Sequence, residues 1–534
     1  MRPKTIIRAA LMASLTLLLA APLASTAARA ETPYPITGTG STWSKNALEQ
    51  WRTNVFRNYQ MTINYTGLGS TSGRRDFIDG TVDFAISEIP FQAKPEDGSA
   101  PEKPSRGYAY MPIVAGGTSF MYHLKINGKR VTNLRLSGDT ITKIFTGAIS
   151  NWNDPAIKTD NPALAMPDKR IVPVIRSDGS GTSAQFTLWM SKQYPSLWKK
   201  GMTSQFRSFG NSKSQAGSDG VAGYVSQNYG EGAITYVEYS YAKKAGFPVA
   251  KVLNKSGYYV EPTASSVAVA MMKAEINDNK SSADYLTQIL DGVYNSADKR
   301  AYPLSSYSYM IVPTEVAGIF NTNKGNTLGA FARYVLCEGQ QQADTLGYSP
   351  LPMNLVMAGS EQIKKIPGAG NEGVDTAKCN NPTFKAGDSP SKNQLALTAP
   401  YPAACDKKGT SQCSTGTGGA TQDTPVTGGG TGGNANNNSG GATGTGTTTG
   451  TGGTTGSDTG TGTGTGTVTD ENGNVLSANG TSAGGAVASA FTLPDPGMGT
   501  SQWLMVAAAL LLVASVVVPP LVSQRLKAGE GHGD

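Results

Sequence analysis

Residues 174–191, VIRSDGSGTSAQFTLWMS, place an Arg and an Asp before a Gly-Ser-Gly-Thr turn that opens an apolar-patterned helix. At a helix start the backbone N–H groups point outward unpaired and carry roughly half a positive charge. Glycine lets an anion approach that backbone, and Ser and Thr hydroxyls add donors. Arg176, immediately ahead of the turn, supplies a forked charge that backbone cannot. The same order of small residues before a helix occurs in ITGTGSTWSKNALEQW (residues 36–51) and YTGLGSTSGRRDFI (residues 65–78). One such turn is an ordinary N-cap. Three in one domain point to convergence on a single anion.

Other chemistries lack their parts. Ser180 would need a base, and the single histidine before the C-terminal tail, His123, has nothing tying it to Ser180. DGSG looks like a fragment of a calcium loop, but TSAQFT follows where further acidic residues are due. A phosphate-cradling P-loop needs G-K-[ST], which is absent, and no C-x-x-C pair suggests a metal. The expectation is a binding protein, not an enzyme, with no cofactor and no metal.

The elements that must position these turns are strands alternating with helices. Strand-like runs are MTINYTGL, VDFAISEI, YMPIVAGGTSFMYHL, RIVPVI and GAITYVEY; helical patterns cover residues 44–58, 73–78, 183–192, 220–227, 282–294 and 329–337. This order predicts an α/β protein with mostly parallel sheets. Ligands in such sheets bind at the carboxyl ends of strands, beside helix N-termini.

Composition divides the chain. Residues 1–30 carry Arg2, Lys4 and Arg8, an apolar stretch and Ala28-Arg29-Ala30, the pattern of a secretory signal cut after Ala30. Without its four basic residues, the 45 Lys and Arg fall to 41 against 38 acidic residues, too even a balance for a nucleic-acid binder. Residues 31–400 hold nearly all the aromatics and exceed what one core usually supports, which predicts two lobes. Residues 401–490 are expected to be a disulfide-bearing end and a Gly/Thr-rich tether spanning about 50 Å. WLMVAAALLLVASVVVPPLV (residues 503–522) predicts a single C-terminal transmembrane anchor that would hold the domain outside the cell, with residues 523–534 as a cytoplasmic tail. LPDPG (residues 493–497) resembles a sortase motif but has Pro496 where that motif has Thr. Cys337, Cys379, Cys405 and Cys413 are even in number, which outside the cell points to disulfides. Three pairings are formally possible, of which Cys337 with Cys379 and Cys405 with Cys413 would each close a local loop.

From about residue 36 to 312 the chain resembles the phosphate-binding proteins of bacterial ABC importers. GTGSTW, GLGSTSG, TVDFAISEIPF, IFTGAISNWNDPAI, RSDGSGTS, SDGVAGYV and GAITYVEYSYA stand in that family's order and at similar spacing. The resemblance implies a two-lobed periplasmic-binding-protein-like fold of type II, with lobe 1 near residues 31–115 and 265–380 and lobe 2 near residues 116–264. Inorganic phosphate would lie in the cleft, and a membrane permease would be the partner. Thr42 and Trp43 would bind the anion through hydroxyl and backbone donors, and Ser70 would donate from the second helix start. Arg176, Ser180, Gly181 and Thr182 would complete the cage, with Asp178 steering Arg176.

Two positions depart from the family pattern: Trp43 replaces Phe, and Glu88 replaces an Asp. A buried carboxylate at position 88 would accept the proton that phosphate retains and sulfate lacks. Glu reaches one methylene farther than Asp, so either the backbone retreats or the ligand differs. The rival readings are a receptor for another oxyanion, such as arsenate, and a surface adhesin or sensor that keeps the fold. An adhesin has no reason to keep Arg176, Ser180, Thr182 and Ser70 together.

Overall fold

The computed structural model describes residues 33–282, 284–420, 468–469 and 475–476. Eight strands form the central sheet: β1 (Ile36–Gly40), β2 (Ile63–Gly67), β3 (Phe84–Ser87), β4 (Tyr108–Tyr122), β5 (Val172–Arg176), β6 (Lys213–Gln215), β7 (Ala233–Glu238) and β8 (Ser305–Pro313). Their order is β2-β1-β3-β8-β4-β7-β5-β6. β3, β7 and β8 are buried along their whole length, as expected of strands covered on both faces.

β4 belongs to two half-sheets. Its first part, through Gly117, pairs with β8, and Thr118–Tyr122 pair with β7. The chain therefore passes from one lobe to the other within a single strand. It returns near Pro262: a Cβ on Gly117 would stand 2.6 Å from Pro262 Cβ, so the two crossings touch and only glycine fits there. Thr263 then caps the helix Ala264–Met271.

Parallel pairs make up most of the sheet, as expected, but antiparallel pairs join the two halves. β1 is parallel to β2 and β3, and β5 is parallel to β6 and β7, but β8 is antiparallel to β3 and β4, and β7 is antiparallel to β4. The reversal has a geometric reason. Because β4 runs through both halves and β7 opposes it, the strands of lobe 2 run against those of lobe 1. The carboxyl ends of both sets then face the same gap.

Four helices start at those ends: α1 (Lys45–Tyr59) after β1, α2 (Ser70–Ile78) after β2, α3 (Gly181–Gln193) after β5, and α4 (Gly217–Ser226) after β6. α1 buries Ala47, Leu48, Trp51 and Val55, one stripe at helical spacing, against lobe 1.

The helix expected over residues 282–294 is corrected. Leu286 has φ 68°, a left-handed conformation that breaks a helix, and Gln288–Ile289 pairs as a strand with Glu275–Ile276. Gln288 exchanges side-chain hydrogen bonds with the Tyr307 backbone, holding the segment against β8, and helix remains only at Asp291–Tyr294.

Cys337 pairs with Cys379 and Cys405 with Cys413. Residues 401–420, the disulfide-bearing end and the first residues of the expected tether, pack on lobe 2, with Thr417 Oγ1 accepting from Val249 N. A separate unit, from Ser439 to Asp534, contains the antiparallel pair Val468–Thr469 and Val475–Leu476.

The expectation of a transmembrane anchor is corrected as well. Among the described residues no helix is long and apolar enough to cross a membrane. α1, among the longest at 15 residues, spans only ~22 Å against a ~30 Å hydrocarbon core. The apolar run at 503–522, the signal at 1–30 and LPDPG lie outside the described residues.

Candidate functional site

Two hydrogen-bonded groups face each other where the four helices begin. The first is built on Glu88, at the end of β3 and fully buried. Ser70 Oγ donates to Glu88 Oε2 at 2.7 Å, and Ser308 Oγ, from β8, donates to Oε1 at 2.8 Å. Ser70 Oγ also accepts the Gly181 N–H at 3.1 Å, which joins the start of α2 in lobe 1 to the start of α3 in lobe 2. A Cβ on Gly181 would lie 2.0 Å from Glu88 Oε2, so the carboxyl rests on the backbone at the start of α3 and only glycine allows it. Burial pushes the Glu88 carboxyl up, and the hydroxyls of Ser41, Ser70 and Ser308 with the Arg176 charge offset this only in part.

The second group is built on Arg176, the last residue of β5 and 2% exposed. Its Nε donates to Asp178 Oδ1 at 2.7 Å and its Nη2 to Oδ2, a bidentate pair. Its Nη1 reaches Ser218 Oγ at 3.3 Å and Thr182 Oγ1 at 3.5 Å. Asp178 also accepts the Gly217 N–H at 2.9 Å, at the start of α4. Burial alone would raise its carboxyl, but Arg176 and this N–H outweigh burial and hold it below the ordinary range. Across the cleft, Thr42 Oγ1 lies 2.9 Å from Ser218 Oγ and accepts the Ser218 N–H at 3.0 Å.

The structure thus brings Ser70, Glu88 and Gly181 together, and Thr42, Arg176, Asp178 and Thr182 together, with Arg176 close enough to act on Glu88 electrostatically. Four expected residues have protein partners: the Ser70 hydroxyl proton goes to Glu88 and the Gly181 N–H to Ser70 Oγ, and Trp43 and Ser180 are engaged as well. The Trp43 N–H, expected to face the anion, donates to Ser41 Oγ at 2.9 Å, while its ring packs edge-on against Tyr348. Ser180 Oγ accepts the Ser183 N–H at 3.1 Å as the N-cap of α3, leaving its hydroxyl proton as the donor it can offer. Further contacts join the lobes: Gln185 Nε2 donates to the Glu88 carbonyl at 2.7 Å, and Lys45 pairs with Asp219 at 2.9 Å.

A family model described as a PBP superfamily domain matches residues 24–338. The phosphate-binding protein PstS of Xylella fastidiosa (strain Temecula1) is 32% identical over 325 residues, covering 60% of this chain and 82% of the relative. The PstS of Pasteurella multocida is 30% identical over 358 residues, covering 65% and 95%. This chain belongs to the PstS-like phosphate-binding proteins. The crystal structure of a phosphate binding protein from Stenotrophomonas maltophilia aligns with 60% of the chain and 91% of its own, at 15% identity and a TM-score of 0.43.

Within this PstS-like chain, Ser218 and Ser308 join the site without standing out in the sequence. SDGVAGYV was legible as a motif, and its Ser218 sits in the first turn of α4, the same small-residue helix start used to find the other turns. Ser308 carries no such signal, since it lies inside a strand. His123 is buried, with Nδ1 3.1 Å from Val225 O and its ring edge-on to Phe247, a structural placement. Among the described residues no cluster of His, Cys, Asp and Glu is arranged to hold a metal ion.

Proposed function

We propose that the chain captures inorganic phosphate outside the cytoplasm and delivers it to the permease of an ABC-type importer. The observation that carries this reading is the convergence of three groups: helix starts from both lobes, one bidentate-held arginine, and one buried carboxyl. Helix starts and hydroxyls supply donors to an oxyanion without a neutralising set of cations. Arg176 supplies the fixed positive charge, oriented by Asp178. Glu88 supplies an acceptor for a proton still on the anion. Against fully ionised sulfate the same carboxylate would meet an oxygen with no hydrogen between them, which is repulsive.

Thr42, Trp43, Ser70, Glu88, Arg176, Ser180, Gly181 and Thr182 are the proposed phosphate-binding residues, with Asp178 in support; the Trp43, Ser70 and Gly181 donors would exchange their present partners for the anion. Binding would favour the closed arrangement of the lobes because donors from both are engaged only when they meet, a population shift set by differential affinity. No bond is made or broken. Calorimetric titration of the full chain, stripped of ligand by reversible unfolding, with phosphate and with sulfate at neutral pH tests this. Tight phosphate binding with sulfate silent is expected; a folded protein silent to both overturns the reading and favours a display module that keeps the fold.

A further inference from the structure

We infer that Ser218 is a positioning residue of the anion site, fixing which way the Thr42 hydroxyl can donate. The inference rests on the phosphate reading above. Arg176 can only donate, so Ser218 Oγ accepts from Nη1 at 3.3 Å. The Ser218 N–H can only donate, so Thr42 Oγ1 accepts from it at 3.0 Å. The two hydroxyls, 2.9 Å apart, own two protons, and their mutual bond uses one. The other is left for an outside acceptor if it is the Thr42 proton, and for the neighbouring Tyr241 hydroxyl if it is the Ser218 proton. If Ser218 donates in the mutual bond, both Thr42 lone pairs are filled and Thr42 can only present its proton. In that arrangement the pair offers the Thr42 proton as a donor, which suits an oxyanion. Thr42 belongs to lobe 1 and Arg176 to lobe 2, so this chain of donors is complete only when the lobes meet.

The test compares Ser218→Ala and Ser218→Thr by phosphate calorimetry and by ligand-free thermal unfolding, with Arg176→Ala in parallel. Ser218→Ala should weaken phosphate by about 10- to 100-fold, as expected for a hydrogen bond linked to a charge. Ser218→Thr should restore most of the affinity, and the ligand-free unfolding midpoint should move little. Affinity within about two-fold of the unaltered protein in Ser218→Ala overturns the inference. If Arg176→Ala also binds normally, the site reading itself has failed.

A second observation stands independently of the cage. After Cys379, disulfide-bonded to Cys337 in lobe 1, the chain crosses to lobe 2 a third time. Asn381 Nδ2 and Thr383 Oγ1 both donate to Leu351 O in lobe 1. Arg300 Nη1 then holds the carbonyls of Ala396 and Ala399. Beyond them, Arg135 Nη1 of lobe 2 donates to Cys405 O and Ser411 O at 3.0 and 2.9 Å, and Asn133 Nδ2 donates to Cys413 O at 2.8 Å. Gly418 N donates at 2.7 Å to Glu261, which stands beside Pro262 at the second crossing.

We propose that residues 380–420 are a strap that limits how far the lobes open, with the Cys405–Cys413 loop as its fastening on lobe 2. Restricting the open state raises the fraction of protein competent to hold ligand. The experiment uses Cys405→Ser/Cys413→Ser in the full chain. The ligand-free radius of gyration should rise in small-angle scattering, and phosphate should dissociate about 5-fold faster or more, in the range of ordinary conformational coupling. A radius and a dissociation rate that both match the unaltered protein overturn the proposal. Should that variant fail to fold, Gln412→Ala/Thr417→Val, which removes side-chain contacts to lobe 2 without touching a disulfide, must show the same two changes or the strap is dismissed.

Discussion

Arg176 and Glu88 carry opposite electrostatic tasks, and each makes a distinct prediction. Arg176→Ala removes the charge that Asp178 orients and that is proposed to face the anion. Phosphate affinity should fall by about 100-fold or more, as for loss of a buried, charge-assisted contact. Breaking a buried pair also costs about 3–5 kcal/mol of stability, so calorimetry should be paired with unfolding to separate the two losses. Glu88 has its carboxyl raised above the ordinary 4.5, so the folded chain holds that proton more readily than the unfolded one. Its contribution to stability is full below 4.5 and is lost as pH rises through the raised value. Glu88→Gln should remove that decline in a pH series of urea unfolding, and should admit sulfate in the titration. A pH profile parallel to that of the unaltered protein, with sulfate still excluded, would take Glu88 out of the site. Asp178 has the opposite sign: held below its ordinary value, it contributes above the usual Asp range and its contribution is lost only as pH falls through the depressed value. Arg176, Asp178 and Gly181 were legible because a fork, its partner and a glycine beside a helix start have few other reasons to coincide. Ser218 and Ser308 were not, because a serine in a first turn or a buried strand is common and its partner is set by the tertiary fold.

At the start of α3, Ser180 is a helix cap and is proposed as a donor to the anion as well. Ser180 caps α3 through the Ser183 N–H, so Ser180→Ala should cost about 1 kcal/mol of stability even without ligand, and Ser180→Gly only a few tenths. If the hydroxyl proton also reaches phosphate, Ser180→Gly should weaken binding far more than its small stability cost implies, read by calorimetry beside denaturant unfolding. Equal small effects would leave Ser180 a cap and nothing more. The elements differ in how far their local pattern fixes them. α1 and the strand runs followed their periodicity, because a buried stripe or a covered strand fixes the residue pattern directly. The apolar spacing in residues 282–294 is equally helical, yet Gln288 is bound to the Tyr307 backbone, and that contact is invisible from local pattern. The Cys337–Cys379 disulfide ties the end of the helix Thr322–Leu336 to the segment that follows the family match. Closing a 42-residue separation stabilises by about 4 kcal/mol on loop entropy. Cys337→Ser/Cys379→Ser should lower the unfolding free energy by up to that amount, while phosphate affinity in the folded fraction should change much less, since neither cysteine touches the cage.

Opposed strand directions decide what the whole molecule can do. Had the sheet been parallel throughout, the strand ends of one lobe would face away from those of the other, and α3 and α4 could not meet α1 and α2. The chain achieves opposition by letting β4 run through both lobes, and the cost is a narrow crossing where Gly117 packs on Pro262 and Tyr302. Alternation of strands and helices in the sequence cannot reveal this, because direction depends on where one long strand changes partners. The crossing should therefore set the balance between open and closed arrangements without contacting the anion. In Gly117→Ala, the new Cβ would stand 2.6 Å from Pro262 and 3.1 Å from the Tyr302 ring, so one crossing must move relative to the other. No cage donor is altered by this change. Phosphate affinity should nevertheless fall, with the ligand-free radius of gyration displaced and the sulfate selectivity retained, because the proposal assigns selectivity to Glu88 and closure to the crossing. Loss of selectivity together with affinity would mean that the substitution had distorted the cage itself; unchanged affinity and radius would mean that the lobes turn about some other point.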